Sequence, residues 1–459
     1  MTKAFFDYYR CPESFMTFAL RELRSEDRGY FRFGANAVCY GRCSANVATD
    51  DVTSRLHDAL EDVTIQGRTL WLPFDPSEIT ANLRFERYAS SDGDGKRLGA
   101  SSFVRDVYYK VRPFLSVSVR KHLQRMHLRD WGNIRFPAWP VDSNVECIFE
   151  ELMILVLAAH AVAQVPFIWF WPEAMPACAM MTHDIEATLG RDFCSRLMDV
   201  DDAYGVKSSF EVVPEGKYAV PETFLDDIRL RGFEINVHDL DHDGHLFRDR
   251  DLFLKRAERI NRYGRKFGAA GFRSAVLYRN VDWFDALDFA YDMSVPNVGS
   301  LEAQRGGCCS VTPFFIGKIL ELPATTVQDY CLFHILDWYA IDLWKRQIAL
   351  IADKHGLASF IVHPDYIFEP RALDTYKALL AYLVDLRSEG KIWIARPQEV
   401  NEWWRQRSQM RVVRCGDGWE IEGAGKERAR IAYASLEGNQ LVYRVESSCL
   451  ATSKTVDAA

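Results

Sequence analysis

From Ala177 to about Gln406 the chain alternates short apolar runs with amphipathic segments, and that alternation constrains the fold more than any other feature. Strand candidates are Cys178 to Asp184, Val206 to Val213, Phe233 to His238, Ala269 to Arg273, Tyr291 to Val295, Leu357 to His363 and Lys391 to Ala395. Helix-like stretches lie between them at Pro221 to Leu230, Asp251 to Phe267, Tyr330 to Lys354 and Ala372 to Ser388. Such alternation over roughly 230 residues calls for a parallel sheet, and about seven units are enough to close one into a barrel. In such barrels the chemistry sits where strands end.

The expected architecture is therefore α/β. A distorted (β/α)7-type barrel fills residues 135–407, an N-terminal mixed α/β region fills residues 1–134, and a small β-rich C-terminal region fills residues 408–459. After Met410 the short polar–apolar alternation, punctuated by Gly416, Gly418 and Gly423, reads as an antiparallel β appendage. No internal repeat of fixed period is visible.

Composition narrows the function classes. Hydrophobic residues make up 48% and charged residues 26% of the 459, close to an average globular chain, which excludes a disordered or collagen-like protein. A net charge of −8 argues against a protein that grips nucleic acid. Eleven cysteines, with Cys39/Cys43 and Cys308/Cys309 as the close pairs, form no disulfide framework and fit a reducing, cytoplasmic compartment. The N-terminal residues Met1 to Arg10 lack a secretory pattern. The apolar run from Met153 to Trp171 carries His160, Gln164 and Pro166; it reads as a buried helix split from a short strand at the proline, with no membrane span expected. Lys110 to Asp130 is a basic, helix-like run with Val111, Leu115, Val119 and Leu123 on one face, either a solvated helix or a surface for glycan or lipid phosphate, so peripheral membrane contact stays open.

Several strands finish in residues able to ligate a metal or move a proton. In Thr182-His183-Asp184-Ile185-Glu186, Asp184 and Glu186 are two apart on an extended chain and project to one side. His238 and His242 are four apart, so a helical turn after the strand turns both imidazoles one way, at a separation suited to a divalent ion. The third ligand is then a carboxylate from the first strand. His245, three residues on, reads as a loop residue. Arg273, at another strand end, can hold a buried carboxylate ionised, and Asp292, one strand further, can orient another member of the network. His363 ends an apolar strand and is either a hydrogen-bonded core histidine or a proton donor.

In this order and spacing the pieces resemble the polysaccharide deacetylases, the NodB-homology group of metal-dependent carbohydrate esterases, over about Cys178 to Gln406. The resemblance implies a distorted, often seven-stranded (β/α) barrel and removal of N-acetyl groups from an amino-sugar polymer or its precursor. The family's first motif usually reads Thr-Phe-Asp-Asp-Gly; Asp184 falls on its first Asp, the general base, while Ile185 replaces the second, a metal ligand. A variant branch has Asp-x-Asp here, which hands the ligand role to Glu186, although Asp184 and Glu186 could exchange base and ligand roles. His238 and His242 resemble the second motif's metal-binding pair, with Asp239 in place of its hydroxyl residue. Arg273, Asp292 and His363 resemble the remaining motifs, without the usual proline after the Arg or Trp beside the Asp.

The implied cofactor is a divalent metal, Zn²⁺ first, with Co²⁺, Ni²⁺ or Mn²⁺ as alternatives, held by Glu186, His238 and His242, with Asp184 as a further candidate ligand. Catalysis falls to Asp184 and His363, supported by Arg273 and Asp292. Two other readings compete: a C–N hydrolase acting on a small cyclic amide, and a degenerate glycan-binding protein of a polysaccharide assembly system.

Overall fold

The computed structural model describes residues 3–21, 27–44, 49–90, 126 and 128–446. The basic run from Lys110 to Asp130 falls mostly outside the described residues, as does the tail from Thr452.

One nine-stranded sheet organises the molecule. Its strands are β1 (Cys178–Ile185), β2 (Ser209–Val212), β3 (Glu234–His238), β4 (Gly271–Arg273), β5 (Tyr291–Asp292), β6 (Phe314–Ile316), β7 (Ile319–Glu321), β8 (Leu357–Ile361) and β9 (Trp393–Ile394). The order is β6-β7-β5-β4-β3-β2-β1-β8, and β9 also pairs with the start of β1. All neighbours run parallel except β6, which returns antiparallel on β7. The seven expected strands are present, and the β6–β7 hairpin adds two that sequence pattern did not announce.

β1 is buried along its whole length. Ala179, Met181 and Ile185 join the core between the sheet and its helices, whereas Cys178 and Met180 join a second core shared with the N- and C-terminal parts of the chain. A parallel strand covered on both faces has no polar side to show, so it reads as an unbroken apolar run. The covering helices include α1 (Thr188–Ala203), α2 (Glu222–Leu230), α3 (Arg250–Phe267), α4 (Asp342–Asp353) and α5 (Pro370–Ser388). Helix α3 starts where Asp249 accepts from the backbone N–H of Leu252 and stops at Gly268, whose φ of 62° suits glycine.

Past β7 the chain meets β8 through threonine side chains and a backbone bond from Thr326 N to the carbonyl of Ser359 at 3.3 Å, with no strand ladder among the described residues. Thr325 Oγ1 donates to the carbonyl of Leu357 at 2.6 Å and accepts from Ser359 N at 2.9 Å, while Thr326 Oγ1 donates to the carbonyl of Ser359 at 2.7 Å.

Two expectations need correction. The helix foreseen from Tyr330 to Lys354 is broken: Cys331–Ile335 forms a π-helical turn, Asp337 takes a positive φ, and α4 begins only at Asp342. The split in Met153 to Trp171 falls before Pro166. Helix Asn144–His160 ends at left-handed Ala161, and Pro166 lies inside edge strand Gln164–Ile168, where a missing N–H is tolerated. No helix among the described residues is long and apolar enough to cross a membrane.

The terminal parts pack against the barrel through the second core. Strands Ile431–Glu437 and Gln440–Val445 form an antiparallel pair that takes in Gln164–Ile168 as a third member, and Arg411–Cys415 pairs with Gly418–Glu422. Buried Arg407 donates from Nη2 to the carbonyls of Tyr8 and Ile168, each at 2.7 Å, and from Nε to that of Trp169 at 2.9 Å. The N-terminal part also reaches the loop after β4 through a buried ion pair between Glu86 and Arg279.

Candidate active site

The C-terminal ends of β1, β3, β4 and β8 deliver the candidate residues to one place. Past the apolar stretch of β1, Thr182, Asp184 and Glu186 share the inward face by the period-two rule. Glu186 is held just beyond the strand, its backbone N–H donating to Asp365 Oδ2 at 2.9 Å and its Oε2 accepting from Tyr366 Oη at 3.3 Å.

His238 ends β3, and the expected helical turn after it is absent. Asp239 and His242 adopt left-handed backbone angles, φ 56° and 53°, in an irregular loop. Asp239 secures that loop by accepting from Leu240 N at 2.6 Å and from Ala275 N at 3.3 Å. Aspartate tolerates the left-handed region better than most residues because its short side chain bonds the local backbone. The loop brings the two imidazole rings to 4.9 Å between centroids.

Glu186, His238 and His242 place one ligand atom each within 4.8 Å of one another. His238 Nδ1 donates to the carbonyl of Arg273 at 3.2 Å, which leaves Nε2 as the inward lone pair. Among the described residues, Nε2 of His238 is buried without a hydrogen-bond partner. His242 Nε2 stands 2.9 Å from Glu186 Oε1. Burial, with His242 nearby, pulls the His238 pKa down to about 4, so this ring is neutral, as a ligand must be. A buried nitrogen such as His238 Nε2 is costly to leave without a partner unless something else takes its lone pair. Two imidazoles and a carboxylate fit a borderline divalent ion such as Zn²⁺ and leave room for a further, non-protein ligand. Asp184 stands outside this group, its Oδ2 3.7 Å from His238 Nε2.

Asp184 Oδ1 accepts from Arg273 Nη1 at 2.6 Å, and the same nitrogen donates to Thr182 Oγ1 at 2.7 Å. Burial alone pushes the Asp184 carboxyl up, but Arg273 first, and His363 with it, hold it below the usual carboxylate range. Glu186 behaves likewise: burial opposes its charge, and His242 and His363 keep it well below its ordinary value.

His363 follows β8, with Nε2 3.6 Å from Glu186 Oε1 and 4.0 Å from Asp184 Oδ2. Its Nδ1 donates to Asp329 Oδ1 at 2.6 Å, and its backbone N–H to Asp329 Oδ2 at 2.7 Å. Burial disfavours the charged ring, yet Asp329 and Glu186 raise its pKa well above the imidazole norm.

The supporting cast departs from expectation at Asp292. Its carboxylate accepts from Ser294 N and Ser294 Oγ, each at 2.9 Å, and sits in register beside Glu321; among the described residues it makes no hydrogen bond to Asp184 or His363. Burial raises both carboxyls of that pair, and the acid that bonds the His363 ring is Asp329. Sequence reading missed Asp329, Glu211 and Tyr366. Asp329 lies 34 residues before His363 in an ordinary-looking Thr-Thr-Val-Gln-Asp stretch, and no local pattern marks it. His245 is a loop residue whose N–H donates to Asp243.

No protein-family model matches the chain, and no curated protein matches it. Its fold is similar to solved structures. A candidate polysaccharide deacetylase from Mycobacterium smegmatis is 18% identical, with 52% of this chain and 93% of that one covered and a TM-score of 0.43. Puue allantoinase is 13% identical, covering 51% and 92%, with a TM-score of 0.40. A family 4 acetyl xylan esterase from Clostridium thermocellum, in complex with a cobalt ion, is 16% identical, covering 49% and 91%, with a TM-score of 0.31.

Proposed function

We propose that the protein is a metal-dependent amide hydrolase that removes N-acetyl groups from an amino-sugar polysaccharide or its precursor. The observation that carries this reading is the meeting, within 4.8 Å, of one ligand atom each from Glu186, His238 and His242, beside a second carboxylate, Asp184, and His363 at the ends of parallel strands. The acetyl-sugar part is supported by the order and spacing of Thr182 to Glu186, His238 with His242, Arg273 and His363.

Glu186, His238 and His242 would hold the divalent ion, Zn²⁺ being the first candidate, and such an ion supplies Lewis acidity and an acidified water. Asp184 takes the proton from the water that attacks the acetyl carbon, a role that needs the carboxylate ionised. Arg273 keeps it so and fixes its Oδ1, leaving Oδ2 directed at the site. His363 carries a proton 3.6 Å from Glu186 and gives it to the departing amine, which leaves poorly as an anion. Asp329 holds that ring in orientation through Nδ1, so Nε2 faces the scissile bond.

Acetate release tests the proposal. The purified protein is assayed on N-acetylated glycan oligomers and, in parallel, on small cyclic amides, with Zn²⁺, Co²⁺, Ni²⁺ or Mn²⁺ supplied. Turnover on the glycans, with Asp184→Asn and His363→Ala each slower by about 10²–10⁴-fold, is the expected result. Turnover confined to the cyclic amides would replace the substrate class. Near-parental turnover in both variants would remove the assigned roles.

A further inference from the structure

Since Thr182, Asp184 and Glu186 face the site, His183 faces the other way, into the layer between the sheet and its helices where Met181 and Ile185 lie. That layer is apolar, and a histidine with no exposed surface there has to satisfy both ring nitrogens. Nδ1 is 3.0 Å from the carbonyl of Val362, and Nε2 is 3.1 Å from Asp201 Oδ2. Asp201, on α1, also accepts from Tyr376 Oη of α5 at 2.6 Å and from Ser208 Oγ at 2.7 Å. Both ring nitrogens therefore face acceptors, and the imidazole acts as a double donor anchored by a carboxylate that two further hydroxyls fix.

What the ring connects gives this cluster its meaning. His183 immediately precedes Asp184, and Val362 immediately precedes His363. The β1–β8 ladder pairs its last residues at Thr182 and Ile361, and Val362 N donates to the carbonyl of Thr182 at 3.0 Å. The ladder goes no further, and the carbonyl of Val362 is met by the His183 ring. We propose that His183 is a positioning residue: pinned by Asp201, its ring extends the contact between β1 and β8 by one residue and so sets the separation of Asp184 from His363.

A misplacement of about 1 Å between reacting groups costs on the order of 10²-fold in rate. A merely core-filling histidine would show its loss in stability alone. The activity readout rests on the proposed deacetylase reading, so a geometric readout accompanies it. His183→Phe keeps a ring in the apolar layer, and Asp201→Asn keeps size and both hydroxyl partners; at least one of the two should fold. Each is compared with the parent in metal content, kcat, KM and crystal structure. The expected result is unchanged metal stoichiometry, KM within twofold, kcat lower by tenfold or more, and His363 Nε2 displaced from its 4.0 Å distance to Asp184 Oδ2. A folded variant with kcat within twofold of the parent overturns the proposal. If the parent itself releases no acetate, the deacetylase reading fails and the crystal structures decide: displacement of His363 supports the positioning role, and an unmoved His363 overturns it.

Discussion

His363 Nδ1 donates to Asp329 Oδ1 across 2.6 Å, and the same carboxylate accepts the backbone N–H of His363 at 2.7 Å, so one acid fixes both the ring and the chain that carries it. The pair is buried, and its charge is what keeps the imidazole protonated against burial. A general acid works only while it holds its proton, so activity should persist as pH rises until the raised His363 pKa is passed. Asp329→Asn removes the anion and leaves the burial, which lowers that pKa. The alkaline limb of the kcat/KM profile should then move down by at least about one pH unit. An unmoved limb would show that His363 is not the group that titrates there.

Arg273 is buried with two carboxylates, hydrogen-bonded to Asp184 and 3.9 Å from Glu211. Arg273→Met should destabilise the fold by about 3–5 kcal/mol, because it leaves those acids buried beside no cation. Urea unfolding followed by tryptophan fluorescence measures the loss. Arg273→Lys should recover only part of it, since a single ammonium cannot donate to Thr182, Asp184 and the carbonyl of Met293 in the planar geometry of the guanidinium.

Asp239 sits in a left-handed conformation between the two candidate histidine ligands and fastens their loop to Leu240 and Ala275. Asp239→Ala should weaken metal binding by about 10–100-fold without removing a ligand. Competition with a chromogenic chelator reads the affinity. Parental affinity would mean that the loop holds its shape without that carboxylate.

Far from the site, at the start of β3, burial lifts the Glu234 carboxyl to about 8. Its oxygens accept from Tyr291 Oη, Asn236 Nδ2 and Gln398 N. Between the unfolded value near 4.5 and about 8 the folded chain keeps a proton that the unfolded chain has released. Stability attributable to this group is therefore full below pH 4.5 and falls as pH rises through that window, by at most about 1.4 kcal/mol per pH unit. Glu234→Gln should flatten that slope. Denaturation midpoints of the two proteins from pH 5 to 8.5 check it, and parallel curves would contradict it.

The parts of the fold that were legible were those where one physical rule acted alone. β1 and β8 read as apolar runs because both of their faces are covered, and α3 and α5 read as helices because an apolar stripe and acidic caps frame them. The hairpin Phe314–Glu321 escaped notice because strands of three residues carry too little pattern, and its position is set by pairing with β5. The spacing of His238 and His242 suits a helix and a loop alike, and the left-handed angles at Asp239 and His242 decide for the loop. Asp329 went unread for a similar reason: which acid meets His363 depends on how the Thr325–Thr326 segment lies against β8, a tertiary feature with no local signature.

Glu186, His238 and His242, with ligand atoms within 4.8 Å of one another, are the proposed metal site. Elemental analysis of the purified protein beside its Glu186→Ala and His238→Ala variants, at equal concentration and without chelator, tests it most directly. The account predicts about one divalent ion per chain in the parent and a large loss in both variants. A parent that takes up no Zn²⁺, Co²⁺, Ni²⁺ or Mn²⁺ on incubation, or variants that keep the full complement, would contradict it.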